Sequence, residues 1–228
     1  MRRIVIVLAT MAMIAVAAAP AGAHPRAKAL DGPDPAFWLS DPDGVDGVSG
    51  TEQFDPVVGS SGWARVYRDS AKIRIRATGL EPGHTYTMWV VYFNDGTLCE
   101  AGVGDPGCNG PDLGGDGGGG VIYGTGRIGR HNGTAVFTAR LRNGAGSDDL
   151  GPPPPPFAFR PYEAGPNNEF HVVIRSHGPI IWGQLREQLT TFSGGCSVTV
   201  GPSPEQIGDF PVPLAPGECG DVQLYVFK

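Results

Sequence analysis

Hydrophobic and polar positions alternate most cleanly over Ala71–Ala77, where Ile73, Ile75 and Ala77 interleave with Lys72, Arg74 and Arg76. A period of two with charge on one side predicts a strand that buries one face and wets the other. Tyr86–Phe93 is instead a continuous apolar and aromatic run, the pattern of a central strand covered on both faces. Alternation returns at Thr134–Leu141, with Ala135, Phe137, Ala139 and Leu141 facing inward and Thr138 and Arg140 outward. With Val121–Ile128 before it and Asn132-Gly133 between, this stretch predicts a hairpin. Further strands are predicted at Trp63–Tyr67, at Glu169–Arg175 (Phe170, Val172 and Ile174 on one face), at Ser197–Val200 and at Val222–Phe227. His177-Gly178-Pro179 reads as a turn. Trp182–Phe192 reads as a short helix or an irregular segment, unusually polar through Gln184, Arg186, Glu187 and Gln188.

Between the first two strands lies Gly79-Leu80-Glu81-Pro82-Gly83-His84-Thr85-Tyr86. Gly79 and Gly83 permit positive φ, and Pro82 fixes φ and cannot donate to a ladder. Leu80, Pro82, Gly83 and Tyr86 resemble the tyrosine corner of Ig-like and fibronectin type III sandwiches, in which a Tyr hydroxyl bonds back to upstream backbone. Short strands, Gly/Pro turns and little helix give the expected fold: an all-β, Ig-like, Greek-key antiparallel β-sandwich with long Gly/Pro-rich loops.

The punctuation between strands is uneven. The chain has 36 Gly and 22 Pro, concentrated at 102–126 and 143–166. The first loop ends in the run Gly114–Gly120, which lacks the Lys-Ser/Thr of a phosphate loop and reads as a flexible tip. The second carries Pro152–Pro156, a polyproline rod and a candidate binding surface. Residues 24–60 read as an extended segment draped over the domain; Asp41–Gly47 lacks the spacing of a calcium loop and reads as turns. The expected organisation is a leader at 1–23, this segment at 24–60, and one sandwich domain at 61–228.

The leader changes the picture of where the chain works. Arg2-Arg3, the apolar run Ile4–Ala19 and Ala21-Gly22-Ala23 have the order of a secretory signal peptide, whose removal leaves His24 first. The expected location is secreted and extracellular, or periplasmic where an outer membrane exists, with no membrane span. Four cysteines, Cys99, Cys108, Cys196 and Cys219, then imply two disulfides, and sequence proximity favours Cys99–Cys108 and Cys196–Cys219. Zinc is the rival reading of these thiols, but none stands in a C-x-x-C pair. The net charge is −6, more negative once Arg2 and Arg3 leave. That balance argues against nucleic acid and anionic lipid as partners, because both need basic patches.

Candidate chemistry rests on five histidines. His24, freed as an N-terminal residue, offers an amine and a ring nitrogen, the arrangement that copper takes in lytic polysaccharide monooxygenases. His84, His171 and His177 are the other candidate metal ligands; His171 and His177 share strand parity, but about 20 Å separates them on an extended strand. Trp38, Trp63 and Trp182 are candidates for stacking on sugar, with burial as the simpler fate. Hydrolase signatures such as Gly-x-Ser-x-Gly are absent, and no catalytic residue is assigned.

The run Gly79-Leu80-x-Pro82-Gly83-His84-x-Tyr86-Thr87-x-Trp89, with Arg175–Pro179 and Gln188–Cys196, is similar to uncharacterised exported bacterial proteins. It is also distantly like CHRD domains. This resemblance implies an exported β-sandwich and brings no activity with it. The expected function is a secreted, non-enzymatic module that meets an extracellular protein or glycan through its long loops. The alternative is a copper-binding protein or copper-dependent oxidoreductase; no other cofactor is expected.

Overall fold

The computed structural model describes residues 28–30, 32, 37–38, 57–99, 108, 111–113, 115, 117–146, 159–199 and 215–228. The leader, His24 and the Asp41–Gly47 turns lie outside them. With strands numbered in chain order, β1 (Lys28–Leu30), β3 (Ser61–Val66), β4 (Ser70–Ala77) and β7 (Ala135–Arg142) form one sheet in the order β1-β3-β4-β7. β2 (Phe37–Trp38), β10 (Glu218–Phe227), β8 (Glu169–Pro179), β5 (His84–Phe93) and β6 (Gly119–Ile128) form the other in the order β2-β10-β8-β5-β6. β9 (Val198–Thr199) runs parallel to the start of β10. A short helix, α1 (Leu185–Thr190), follows β8. The fold is an all-β sandwich.

Residue pattern explains which strands share a sheet. β4 and β7 both alternate apolar with basic or polar residues, and they pair along their whole length, from Ser70 opposite Arg142 to Ala77 opposite Ala135. Their apolar side chains, Ile73, Ile75, Phe137 and Leu141, are buried. β5 is apolar from Met88 to Phe93 and takes a central place between β6 and β8. Its inner residues Met88, Val90 and Tyr92 meet Phe170, Val172, Ile174, Tyr225 and Phe227 in the core. The corner at 78–83 therefore carries the chain from one sheet to the other.

Here the expected hairpin at Gly129–Gly133 is corrected. The turn closes, with Gly133 N–H donating to Arg130 O at 2.9 Å, but β6 and β7 enter opposite sheets. β7 has a half-wetted pattern that matches β4, whereas β6 pairs with the fully buried β5; the local Asn-Gly signal yields to that difference. β7 returns beside β4, with β5 and β6 next, which is a Greek key folded across the two sheets.

Two other expectations change. His177-Gly178-Pro179 belongs to β8, which runs on past Arg175 until Pro179 faces His84. Gly117–Gly120 is buried and not a flexible tip; a Cβ on Gly119 would collide with Tyr92 O, so the close approach of β6 to β5 requires glycine there. Both disulfides, Cys99–Cys108 and Cys196–Cys219, join the expected partners. Pieces of the 24–60 segment serve as edge strands, β1 on β3 and β2 on β10.

The second sheet also buries residues on its outer face. At one end Trp89 packs edge-on against Tyr123 (5.5 Å) and Phe192 (5.2 Å), under the 180–197 segment. At the other, Phe93 packs edge-on against His171 at 5.2 Å, next to Cys108. Each disulfide ties down the cover over one end.

Candidate functional site

β5 ends and β8 begins at the same end of the sandwich, Phe93 facing Glu169. The loops 94–118 and 143–168 therefore leave one end together, and a pair of asparagines joins them. Asn94 Oδ1 accepts from Glu163 N–H at 2.9 Å, and its Nδ2 donates to Pro161 O at 3.0 Å. Asn168 Nδ2 donates to Asn94 O (3.0 Å) and Glu163 O (2.9 Å). Its Oδ1 accepts from Tyr162 O–H (3.1 Å) and Gly165 N–H (2.8 Å). Asn168 is buried, and these four bonds use both ends of its amide. Gly96 N–H donates to Asn167 O at 2.8 Å and Arg160 N–H to Gly119 O at 2.8 Å, so backbone also ties one loop to the other.

Glu169 sits beneath this junction, buried. Its Oε1 accepts from Cys108 N–H at 2.9 Å and from His171 Nε2 at 2.7 Å. A buried carboxylate with two donors fixes the disulfide loop on the sheet. Asp95 accepts from the Thr97 hydroxyl (2.6 Å) and amide (3.1 Å), and the hydroxyl bond is the chief cause that lowers its pKa. Leu98 follows, half exposed at 52%, immediately before Cys99. The result is a loop surface held on a rigid frame, the usual way a sandwich presents contact residues.

The opposite end holds His177. Its Nδ1 lies 2.9 Å from Gly194 O and its Nε2 2.8 Å from Thr87 Oγ1, which in turn accepts from Trp89 Nε1 at 2.9 Å. That pattern fixes the tautomer: Nδ1–H donates to the carbonyl, and Nε2 accepts from the hydroxyl. Burial pushes His177 down to about 4, with Arg175 adding to the effect and the Gly194 bond opposing it. The ring is neutral, and both nitrogens are committed. Arg175, also buried, donates through Nε to Phe192 O (2.9 Å) and pairs through Nη1 with Asp221 (2.8 Å). Its guanidinium lies 4.0 Å from the Phe192 ring centre.

His177, Cys196 and Cys219 are the one group of three His, Cys, Asp or Glu donors gathered within 4.8 Å among the described residues. The two sulfurs are bonded to each other, so neither is a thiolate. His84 opens β5, where burial lowers its pKa against the opposing charge of Glu81. His171 is held by Glu169 at the far end of β8. The candidate ligands His84, His171 and His177 are thus not brought together as a set, and His24 lies outside the described residues.

The tryptophans divide. Trp89 is buried, and Trp63 is half-buried with Arg65 over its ring at 5.1 Å. Trp182 is 86% exposed, which corrects the expectation of burial. It sits in the turn closed by Gln184 N–H donating to Ile181 O (3.0 Å), where Gly183 has φ +94°. Gln188 anchors that turn: its Oε1 accepts from Ile181 N–H, and its Nε2 donates to His177 O and Pro179 O.

No family model, curated protein or solved structure matches this chain. Thr87, Glu169 and Gln188 carry much of the polar geometry, yet sequence reading passes over them. Trp89 and His171 stand two residues from Thr87 and Glu169, but the contacts to His177 and Cys108 come from distant segments, which no local spacing marks.

Proposed function

We propose that this chain is a secreted, non-enzymatic binding module whose contact surface is the end formed by the 94–118 and 143–168 loops. The observation that carries this reading is the Asn94–Asn168 junction, which fixes the described bases of the two loops, 94–99 and 159–168, to each other. Residues anchored in this way lose less freedom on binding, so the described part of this end is suited to recognition. The two disulfides fit an oxidising location, and no helix among the described residues is long and apolar enough to cross a membrane. His177, the most shielded histidine, is consumed by structure and supplies no free base.

The reading is tested by placing a photoreactive residue at Leu98, and separately at Trp182 on the other end, in the protein made by its own host. A discrete cross-linked adduct from Leu98 and none from Trp182 is the expected outcome. An adduct from Trp182 alone moves the contact surface to the disulfide-tied turn.

A further inference from the structure

The outer face of the first sheet is basic in an acidic protein. Arg65, Lys72, Arg74, Arg76, Arg140 and Arg142 are all exposed, and all project from β3, β4 and β7 on the side away from the core. The sequences of these three strands contain no Asp or Glu. Among the described residues no carboxylate pairs with any of the six; the ion pairs there are His171–Glu169 and Arg175–Asp221. None of the described carboxylates neutralises this face, which answers the objection that the chain lacks a basic patch.

Register sharpens the point. Lys72 lies directly opposite Arg65 on one side and Arg140 on the other, so three cations form one row across three strands. Side chains in such a row stand about 5 Å apart, and like charges placed there oppose folding. Arg74, one step along β4, faces Trp63 and Thr138. Arg65 lies over Trp63, and Lys72 lies 5.7 Å from the centre of the Tyr67 ring. These cation–π contacts offset part of the repulsion and hold the charges over the sheet.

We infer that this face binds a linear anionic polysaccharide bearing sulfate or carboxylate groups. Five of the six cations are arginines, whose planar fork takes such groups bidentately. With strands about 4.8 Å apart and about 3.4 Å per residue, the charges cover a flat strip about 10 Å wide and 20 Å long, the shape of an extended chain. The disulfides belong to an oxidising compartment, where polyanions on offer include acidic glycans. Single-stranded nucleic acid is disfavoured because Trp63 and Tyr67 lie under cations and offer no free stacking platform. A membrane surface is disfavoured because the exposed large apolar residues, Val58, Leu98, Ile128, Trp182 and Val198, all lie off these three strands.

The experiment measures binding of the full exported chain to size-defined heparin oligosaccharides by calorimetry over a range of salt. Duplex DNA of matched charge and phosphatidylserine vesicles serve as the competing probes. The heparin oligosaccharide is expected to bind at least tenfold tighter than the DNA, with an affinity that falls steeply with salt. Lys72→Glu and Arg140→Glu should each weaken it tenfold or more and raise the melting temperature, because each relieves the like-charge row. Arg186→Glu, the same change of charge on α1, should leave binding within twofold. Equal or tighter DNA binding, binding only to vesicles, or an equal loss in Arg186→Glu overturns the inference. So does silence in the native chain followed by binding once Asp41, Asp43, Asp46, Glu52 and Asp55 are neutralised, since the face would then be occupied by the chain itself.

Discussion

Thr87 Oγ1 and His177 Nε2 lie 2.8 Å apart although 90 positions separate them in the chain. The hydroxyl sits between the Trp89 indole and the imidazole, and the imidazole passes on to Gly194 O. Cys196 Sγ and Cys219 Sγ lie 3.7 and 3.6 Å from Nδ1. This chain of contacts joins β5, β8 and the second disulfide into one buried unit, and only a neutral imidazole can accept from Thr87 while donating to Gly194.

The consequence is an acid sensitivity. In the unfolded chain His177 has its ordinary value of 6.5, whereas burial holds it at about 4 in the fold. Between those values the unfolded chain binds more protons, so stability is full above pH 6.5 and declines as the pH falls toward 4. The shift corresponds to about 3 kcal/mol, of which each pH unit in that window removes about 1.4. The neighbouring Arg175 also opposes protonation of the ring, and the bonded sulfurs do not titrate. Urea midpoints from pH 7 to 4 should therefore fall in the native protein and fall less in His177→Gln. His84 is shifted the same way and leaves a residual slope. Parallel slopes in the two proteins would remove His177 as the cause.

Asn168 gives a sharper test of the loop junction. Asn168→Asp keeps an oxygen for Tyr162 and Gly165 but turns the Asn94 and Glu163 donor into an acceptor facing two carbonyls. A buried acceptor facing carbonyls without a donor costs about 2–3 kcal/mol or more. Unfolding by urea should show that loss, and hydrogen exchange should show faster opening at Gly96, whose amide bonds Asn167 O. Asn143→Asp replaces an exposed acceptor that receives only Ala164 N–H and should cost little.

Strand identity was legible wherever burial left a period of two or an unbroken apolar run. Ile73, Ile75, Phe137, Leu141, Phe170, Val172 and Ile174 are all buried as their spacing implies. Pairing was less legible, because it is decided between elements. Asn132-Gly133 marks a turn equally well whether the strands pair or diverge. The extension of β8 through His177-Gly178-Pro179 was hidden for a similar reason: local turn chemistry gives way when β5 offers a ladder partner, His84 opposite Pro179. The disulfides were accessible from proximity, whereas the polar clusters were not. Glu169 and Gln188 look like surface residues until tertiary structure buries them with Cys108 N–H and Pro179 O.

The corner offers the test closest to what the sequence itself marks. The Tyr86 hydroxyl oxygen accepts from Glu81 N–H at 2.8 Å, and burial of the phenol raises its pKa. Neighbouring amides in the corner bond elsewhere: Leu80 N–H to Gly133 O at 3.0 Å and Gly83 N–H to Gly129 O at 2.9 Å. Those two bonds pin the corner to the β6–β7 turn without the Tyr86 hydroxyl. Tyr86→Phe preserves the ring and its packing while leaving the Glu81 amide without its partner, so the loss should be about 1–2 kcal/mol. The Glu81 amide should exchange markedly faster in the variant, while Leu80 and Gly83 keep their protection. If all three amides lose protection together, the hydroxyl holds the whole crossing between the sheets and the loss should exceed that range. If none changes, the phenol contributes through its ring alone.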